Sequence, residues 1–366
     1  MRRYVRKLLI SLAPLAIGAA IGAAAKIDPT LTENLYSLGI YTWIAGFLGA
    51  VNSTVPFSLA ELLLAGSVIF AATLCAYVIF GLVRKSFRRQ GFTKNTIFFA
   101  LFAASCVFLA FHVLCAPNYH RYSFAEYAGL EVRPSSTEEL AALCESLIER
   151  SNALRAEIST DANGVMRLSD ASATGAMRAA RAAFDQSALR FPVLSVSRTV
   201  PKPVTGSVVL SHLNLSGFFF PYTGEANVNV HMPDSAIPFT ACHELAHTAG
   251  FMREDEANFI GYLACTMSDR ADIRYSGTLQ ALIYCTNALY AADPALYREV
   301  ASAYGDGVLT DLRFQSAYWK RYEGKAAQLS EAVNDAYLKL NDQQDGTQSY
   351  GRMVDLMLAY YRSTLG

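Results

Sequence analysis

Three long, nearly uncharged apolar runs, residues 8–25, 62–83 and 97–115, constrain this chain more than any other feature, and all lie in its first 115 residues. Each approaches or exceeds the roughly 18 residues that a helix needs to cross a hydrocarbon core. Only structures that pair their own backbone groups survive there, so three transmembrane helices are predicted. Arg2, Arg3, Arg6 and Lys7 precede the first run, and Arg84, Lys85, Arg88, Arg89 and Lys94 separate the second from the third. Residues 26–56 hold one basic residue, Lys26. Basic residues near span ends stay on the cytoplasmic side. The expectation is a multi-pass protein of the cell membrane with a cytoplasmic N-terminus, an outer loop at 26–56, and everything after residue 115 extracytoplasmic. A signal peptide competes for the first run, with Ala23-Ala24-Ala25 as a possible cleavage site; the run is long for one, so an uncleaved anchor is expected.

Charge divides at the same place. Residues 1–115 carry 10 basic and 3 acidic side chains, residues 116–366 carry 21 and 28, and the net charge of zero conceals this split. An acidic outer domain lacks the clustered positive charge that phosphate binding needs, so nucleic acid is not expected as a partner. Cys75, Cys106 and Cys115 fall in or beside the spans; Cys144, Cys242, Cys265 and Cys285 show no close-spaced framework, so disulfide pairing stays open, as does oligomeric state.

In the outer part, residues 116–366, Ser136 with Glu139 has the form of a capping box, and Leu140, Leu143, Leu147 and Leu154 follow at helical spacing. A helical hairpin is expected, its second arm over 172–189. Residues 192–230 are rich in Val, Pro, Ser and aromatic residues, and the alternating runs at 207–211 and 226–231 predict strands. Asn227, Asn229 and His231 would share one face of the latter. From Ile237 the chain reads as helical, broken at Asp293-Pro294, near Gly305-Asp306-Gly307 and over 341–346. The fold class is α-rich α+β, with three N-terminal membrane helices and one outer domain holding a small β-sheet.

The chemistry centres on His243-Glu244-Leu245-Ala246-His247. Residues four apart share a helix face, so both imidazoles can reach one metal ion, expected to be a single Zn2+. Glu244 can then stand beside the ion's open position as general base toward its water. Gly250 can end this helix in a left-handed conformation, and a second helix starting near Arg253 would bring an acidic third ligand back over the metal. Glu254 is the choice, because Asn258 lies one turn further on the same face and can orient a ligand histidine. Glu256, about 200° away at 3.6 residues per turn, is the reserve. A chance match to this motif is expected about once in a hundred chains of this size. Asn227, Asn229 and His231 are possible substrate contacts, although a lone histidine is more often structural. Tyr222, Tyr275 and Tyr350 are possible donors to an oxyanion. His112, inside a span, has helix-helix contact as its simplest role.

At these residues the chain resembles the zincin metallopeptidases, in the gluzincin arrangement where His-Glu-x-x-His is joined by a glutamate in a Glu-x-x-x-Asp-like segment. Here Asn258 replaces the Asp, and the spacing from His247 to Glu254 is short for that arrangement. More closely, it looks like a bacterial membrane family catalogued as domain of unknown function 3810. The matching stretches are Asn118-Tyr119-His120-Arg121, residues 221–229, 238–247 and 250–262, and Tyr337-Leu338-Lys339 through 349–355. The resemblance implies a zincin-like outer domain and a metalloprotease of unspecified substrate.

The function expected is therefore hydrolysis of a peptide or protein substrate outside the cytoplasm by a membrane-anchored zinc enzyme. The strand 227–231 would be a natural edge for an extended peptide. Two alternatives differ in class: a zinc-stabilised binding or sensory module that cleaves nothing, and an amide hydrolase acting on cell-envelope material.

Overall fold

The computed structural model describes residues 2–83, 90–170, 172–341, 343 and 352–365. Its amino-terminal part runs through α1 (Arg2–Ile27), α2 (Pro29–Leu31), a π-helical stretch Thr32–Ile40, α3 (Tyr41–Ser53), α4 (Leu59–Val83) and α5 (Gln90–Leu114). Three helices are long and apolar enough to cross a membrane, over Arg3–Ile27, Leu59–Phe80 and Thr96–Leu114, matching the three apolar runs. Residues 84–89, on which the expected orientation partly rested, lie outside the described residues.

Helices α1 and α5 pack together because α1 offers bare backbone where α5 offers rings. A methyl group at Gly18 would meet the Phe108 ring at 2.9 Å, and one at Gly22 would meet His112 at 3.0 Å. The His112 ring thus lies against Gly22, and its Nδ1 is 3.0 Å from the Phe108 carbonyl oxygen. Helix α4 stands apart, with none of its apolar span buried.

The segment 26–56, expected to connect the first two spans on the outer side, is almost wholly helical. Asp28 caps α2 by accepting a bond from the Leu31 amide at 2.9 Å. Further on, Tyr41, Ala45, Gly49 and Asn52 recur at helical spacing and are buried against the rest of the molecule.

After a 3-10 turn at Ala116–His120, the second part contains α6 (Phe124–Ala128), α7 (Thr137–Ala156), α8 (Ala173–Arg190), β1 (Lys202–Pro203), α9 (Ser207–His212), β2 (Gly217–Phe220) and β3 (Glu225–Val228). Then come α10 (Ile237–Thr248), α11 (Glu254–Thr266), α12 (Ala271–Ala292), α13 (Pro294–Ala301), α14 (Asp306–Lys320), α15 (Lys325–Leu340) and α16 (Met353–Leu365). The capping box opens α7 as predicted, Ser136 and Glu139 exchanging bonds of 3.2 and 3.1 Å. Yet α7 and α8 are not a hairpin pair: α7 packs chiefly on α12, and α8 on α10 and α11. The run at 207–211 forms α9 rather than a strand. Glu61 accepts bonds from the amides of Thr205 and Gly206 just ahead of it, and Val208 and Val209 remain exposed. A two-residue alternation was too short to outweigh that local turn.

Three short strands make a sheet in the order β1-β3-β2, β1 parallel and β2 antiparallel to β3. Below it lies α10, every residue of which is buried. Leu245, Phe259, Ile260 and Leu263 are fully buried between α10, α11 and the core. Each contributes about 1.5–3 kcal/mol, so apolar contacts set the relation of these helices and the polar site rides on it.

The two parts share polar interiors. Glu33 holds Arg121 at 3.0 Å and the Tyr122 amide at 2.8 Å. Lys202 binds Glu225 at 2.7 Å and the carbonyls of Asn52 and Phe57, while Glu225 also accepts the Leu59 and Ala60 amides at the start of α4. A carboxylate at a helix N-terminus is favoured by the helix dipole. The boundary expected at 115/116 therefore cuts through packed structure.

Candidate metal centre

Pro238 opens α10 at a position where its missing N–H is no loss. The helix closes at Gly250, whose φ of +91° is the left-handed conformation anticipated for it. The reversal lets α11 begin at Glu254 and lie back across α10. Gly261 makes that approach close: a methyl group there would sit 3.2 Å from the His243 amide nitrogen.

These turns bring His243, His247 and Glu254 together, one ligand atom from each lying within 4.8 Å of the others. The two Nε2 atoms are 3.1 Å apart, His243 Nε2 is 3.4 Å from Glu254 Oε2, and His247 Nε2 is 3.7 Å from Glu254 Oε1. A tetrahedral ion with bonds of 2.0–2.1 Å separates its donors by about 3.3 Å, so the set fits one such ion. The His247 tautomer agrees. Its Nδ1 lies 2.8 Å from the Phe251 carbonyl oxygen, which can only accept, so Nδ1 carries the proton and the Nε2 lone pair faces the cluster.

Burial holds His247 down at about 4, against the pull of Glu254. Burial, the largest influence on His243, also lowers it, but Glu254, Glu244 and Asn258 together raise it above its usual value. The two imidazoles thus differ, His247 held below its usual value and His243 raised by the acidic groups around it. Asn258 is the residue expected to orient a ligand histidine; its Nδ2 and His243 Nδ1 are both buried without hydrogen-bond partners.

The reserve ligand Glu256 goes elsewhere: it accepts the Phe124 amide at 2.8 Å, and burial pushes its carboxyl up to about 7. Glu244 points into the same cavity as the three ligands. Its Oε2 is buried and unpartnered, and burial pushes the carboxyl up to about 8, opposed by His243 and reinforced by Glu254. A value near neutrality suits a group that must both take and give a proton.

The cavity, about 800 Å³, is bounded on one side by Gly217, Phe218 and Phe219 of β2 and by Tyr119, Tyr284 and Tyr337. The edge strand that lines the cavity is β2, not the 227–231 stretch expected: β3 is the central strand and ends at Val228. The Asn229 amide donates to the Ser216 carbonyl at 2.8 Å. Alternation of antiparallel pairs then turns the backbone groups of Gly217 and Phe219 toward the free edge. On the α10 side, a methyl group at Gly217 would lie 2.7 Å from Glu244 Oε1, and the Phe219 ring centroid is 6.2 Å from that of His247.

The remaining candidates lie apart. Asn227 takes a bond from Ser58 at 2.6 Å, and Asn229 donates to Ser211 and to the Leu215 carbonyl; both are fully buried. His231 bonds Tyr318 at 3.0 Å, and Tyr275 donates to Asp311 at 2.7 Å. Tyr222 donates to the Val107 carbonyl. None of these five lines the cavity. Tyr350 lies outside the described residues. Sequence reading passed over Gly217, Tyr119, Tyr284 and Tyr337 as site residues. Tyr119 and Tyr337 stood only in the stretches carrying the family resemblance, and no spacing ties them to the motif.

The family described as Protein of unknown function (DUF3810) matches residues 36–358, and the chain belongs to it. No curated protein and no solved structure shows a significant match.

Proposed function

We propose that this protein is a membrane-anchored, zinc-dependent hydrolase of the zincin type that cleaves peptide bonds. One observation carries the reading: His243, His247 and Glu254 converge in a cavity that also receives the unpartnered carboxylate of Glu244. Two imidazoles and a carboxylate suit Zn2+, and a ligand set of three leaves a position for water. When bound, the ion supplies Lewis acidity and lowers the pKa of water. Glu244 takes the proton of the attacking water and returns it to the leaving amine, so that a C–O bond forms as the C–N bond breaks. The exposed backbone groups of Gly217 and Phe219 pair with an extended substrate. Burial raises the phenols of Tyr119, Tyr284 and Tyr337, which keeps them protonated as donors to a developing oxyanion. The basic residues before the first span and over 84–94 support a cytoplasmic N-terminus with this site on the outer side.

The test is Glu244→Gln in the full chain. Bound zinc, measured by elemental analysis, is expected to stay at one per chain while peptide hydrolysis falls by at least about 10³-fold. Undiminished turnover in the zinc-loaded variant would remove Glu244 from the mechanism. Absence of tightly held zinc from the wild type would sink the whole reading.

A further inference from the structure

We infer that the substrate is a polypeptide tethered in the same bilayer and cut close to where it leaves the membrane, a conclusion that rests on the hydrolytic reading above. The cavity is built onto the end of a span. Helix α5 finishes its apolar stretch at Leu114 and continues without a linker into the turn Ala116–His120, where Tyr119 already lines the cavity. Even fully extended, those five residues reach only about 18 Å.

Side-chain contacts bring the cavity wall closer still. The Tyr337 hydroxyl is 2.9 Å from that of Tyr119, and the Tyr337 ring meets Phe111 of the span edge-on with centroids 6.3 Å apart. Tyr222, just past β2, donates to the carbonyl of Val107, about 10 Å down the helix from Leu114 at 1.5 Å per residue. Met252, which lines the cavity, has its sulfur 3.5 Å from that of Cys115. The wall therefore overlaps in height with the last turn of the span, and the segment just past β2 reaches one turn further down.

The helical stretch from Pro29 to Ser53 packs beside the end of the same span, where Tyr36 donates to the Val113 carbonyl at 2.9 Å. Its inner face touches the domain along its length, through Glu33 to Arg121, Tyr41 to the carbonyls of His247 and Thr248, and Asn52 to that of Gly224. Its outer face exposes Leu35, Trp43, Phe47 and Val51, with Trp43 82% and Phe47 69% exposed, and residues 34–53 carry no charge. Apolar surface of this kind next to two membrane helices is covered by lipid, with the tryptophan in the interfacial layer. On the far rim, Val333 lines the cavity and continues into the exposed Leu329 and Leu340 of α15. Among the described residues, no Lys or Arg lines the cavity. A chain emerging from the bilayer meets this mouth directly, and tethering raises its effective concentration there.

The experiment uses the full chain in liposomes, zinc-loaded and carrying Glu244→Gln, with benzoylphenylalanine replacing the exposed Val333 as a photo-crosslinker. Randomised peptides are offered free, or on a single-span anchor through spacers of about 6 or about 60 residues; the shorter reaches only about 20 Å. Crosslinking is expected to favour the short-spacer peptide over the long by about 30-fold, the −3/2 power of a tenfold length change, and over the free peptide by more. Equal crosslinking of free and anchored peptides, or capture only through the long spacer, overturns the inference. Capture of short-spacer peptides that the wild-type protein fails to cleave supports the tethered ligand and rejects hydrolysis instead.

Discussion

An alanine at position 217 would place a methyl group 2.7 Å from Glu244 Oε1 and 2.8 Å from both the Asn227 carbonyl oxygen and the Thr240 methyl carbon. Two of those neighbours are anchored in strand and helix, so the carboxylate is the group that moves. Gly217→Ala is expected to keep zinc, lower stability by about 1–3 kcal/mol, and reduce turnover by at least about 10²-fold, since a misplacement of about 1 Å has that cost. Steady-state kinetics alongside metal analysis check it; unchanged kcat would mean that the base tolerates displacement. At this scale the motif itself was legible, because a four-residue spacing on a helix fixes the positions of His243 and His247 almost without tertiary information. Gly217 was not, since a glycine in an aromatic run acquires its meaning only when β2 is laid over α10.

Between α10 and α11 the chain reverses through Gly250, and the same turn presents the Phe251 carbonyl to His247 Nδ1. A side chain there would be strained at φ +91° and would meet Arg121 Nη1 at 2.8 Å and Tyr41 at 3.0 Å. Gly250→Ala is expected to destabilise by more than about 1 kcal/mol and to weaken zinc binding about 10–100-fold by shifting the carbonyl that sets the tautomer. Chelator competition measures the second effect, and zinc affinity equal to the wild type would show that the turn and the ligand are uncoupled. This reversal was readable in the sequence because Gly250 and the acidic cluster follow the motif closely. The elements misread were those defined by distant partners. Val208 and Val209 looked like strand, yet Glu61, more than 140 residues away, caps the turn that becomes α9. The helices within residues 26–56 were not anticipated, because nothing local announces that Tyr41 will end against the carbonyl of His247.

For the molecule as a whole, the amino-terminal helices are part of the interior of the domain that follows. A chain beginning at residue 116 would lose Glu33 from Arg121, and the carbonyls of Asn52 and Phe57 from Lys202. Stranding the buried Arg121 charge costs about 3–5 kcal/mol, and the bonds that Lys202 and Glu225 lose add to it, a large share of the stability of an ordinary domain. The fragment 116–366 is therefore expected to show no cooperative thermal transition by circular dichroism, whereas the intact chain does; a sharply melting fragment would refute this.

The Tyr41 phenol also has a reach beyond stability. It donates to the last carbonyls of α10, while Trp43 and Phe47 turn the other way, out of the same helix. One helix thus carries an exposed apolar face on one side and touches the backbone of His247 on the other. On the proposed function, swapping a bilayer for detergent micelles should lower catalytic efficiency with zinc content unchanged, and Tyr41→Phe should blunt that sensitivity; matched assays in nanodiscs and micelles would reveal whether the candidate site responds to the lipid around α3.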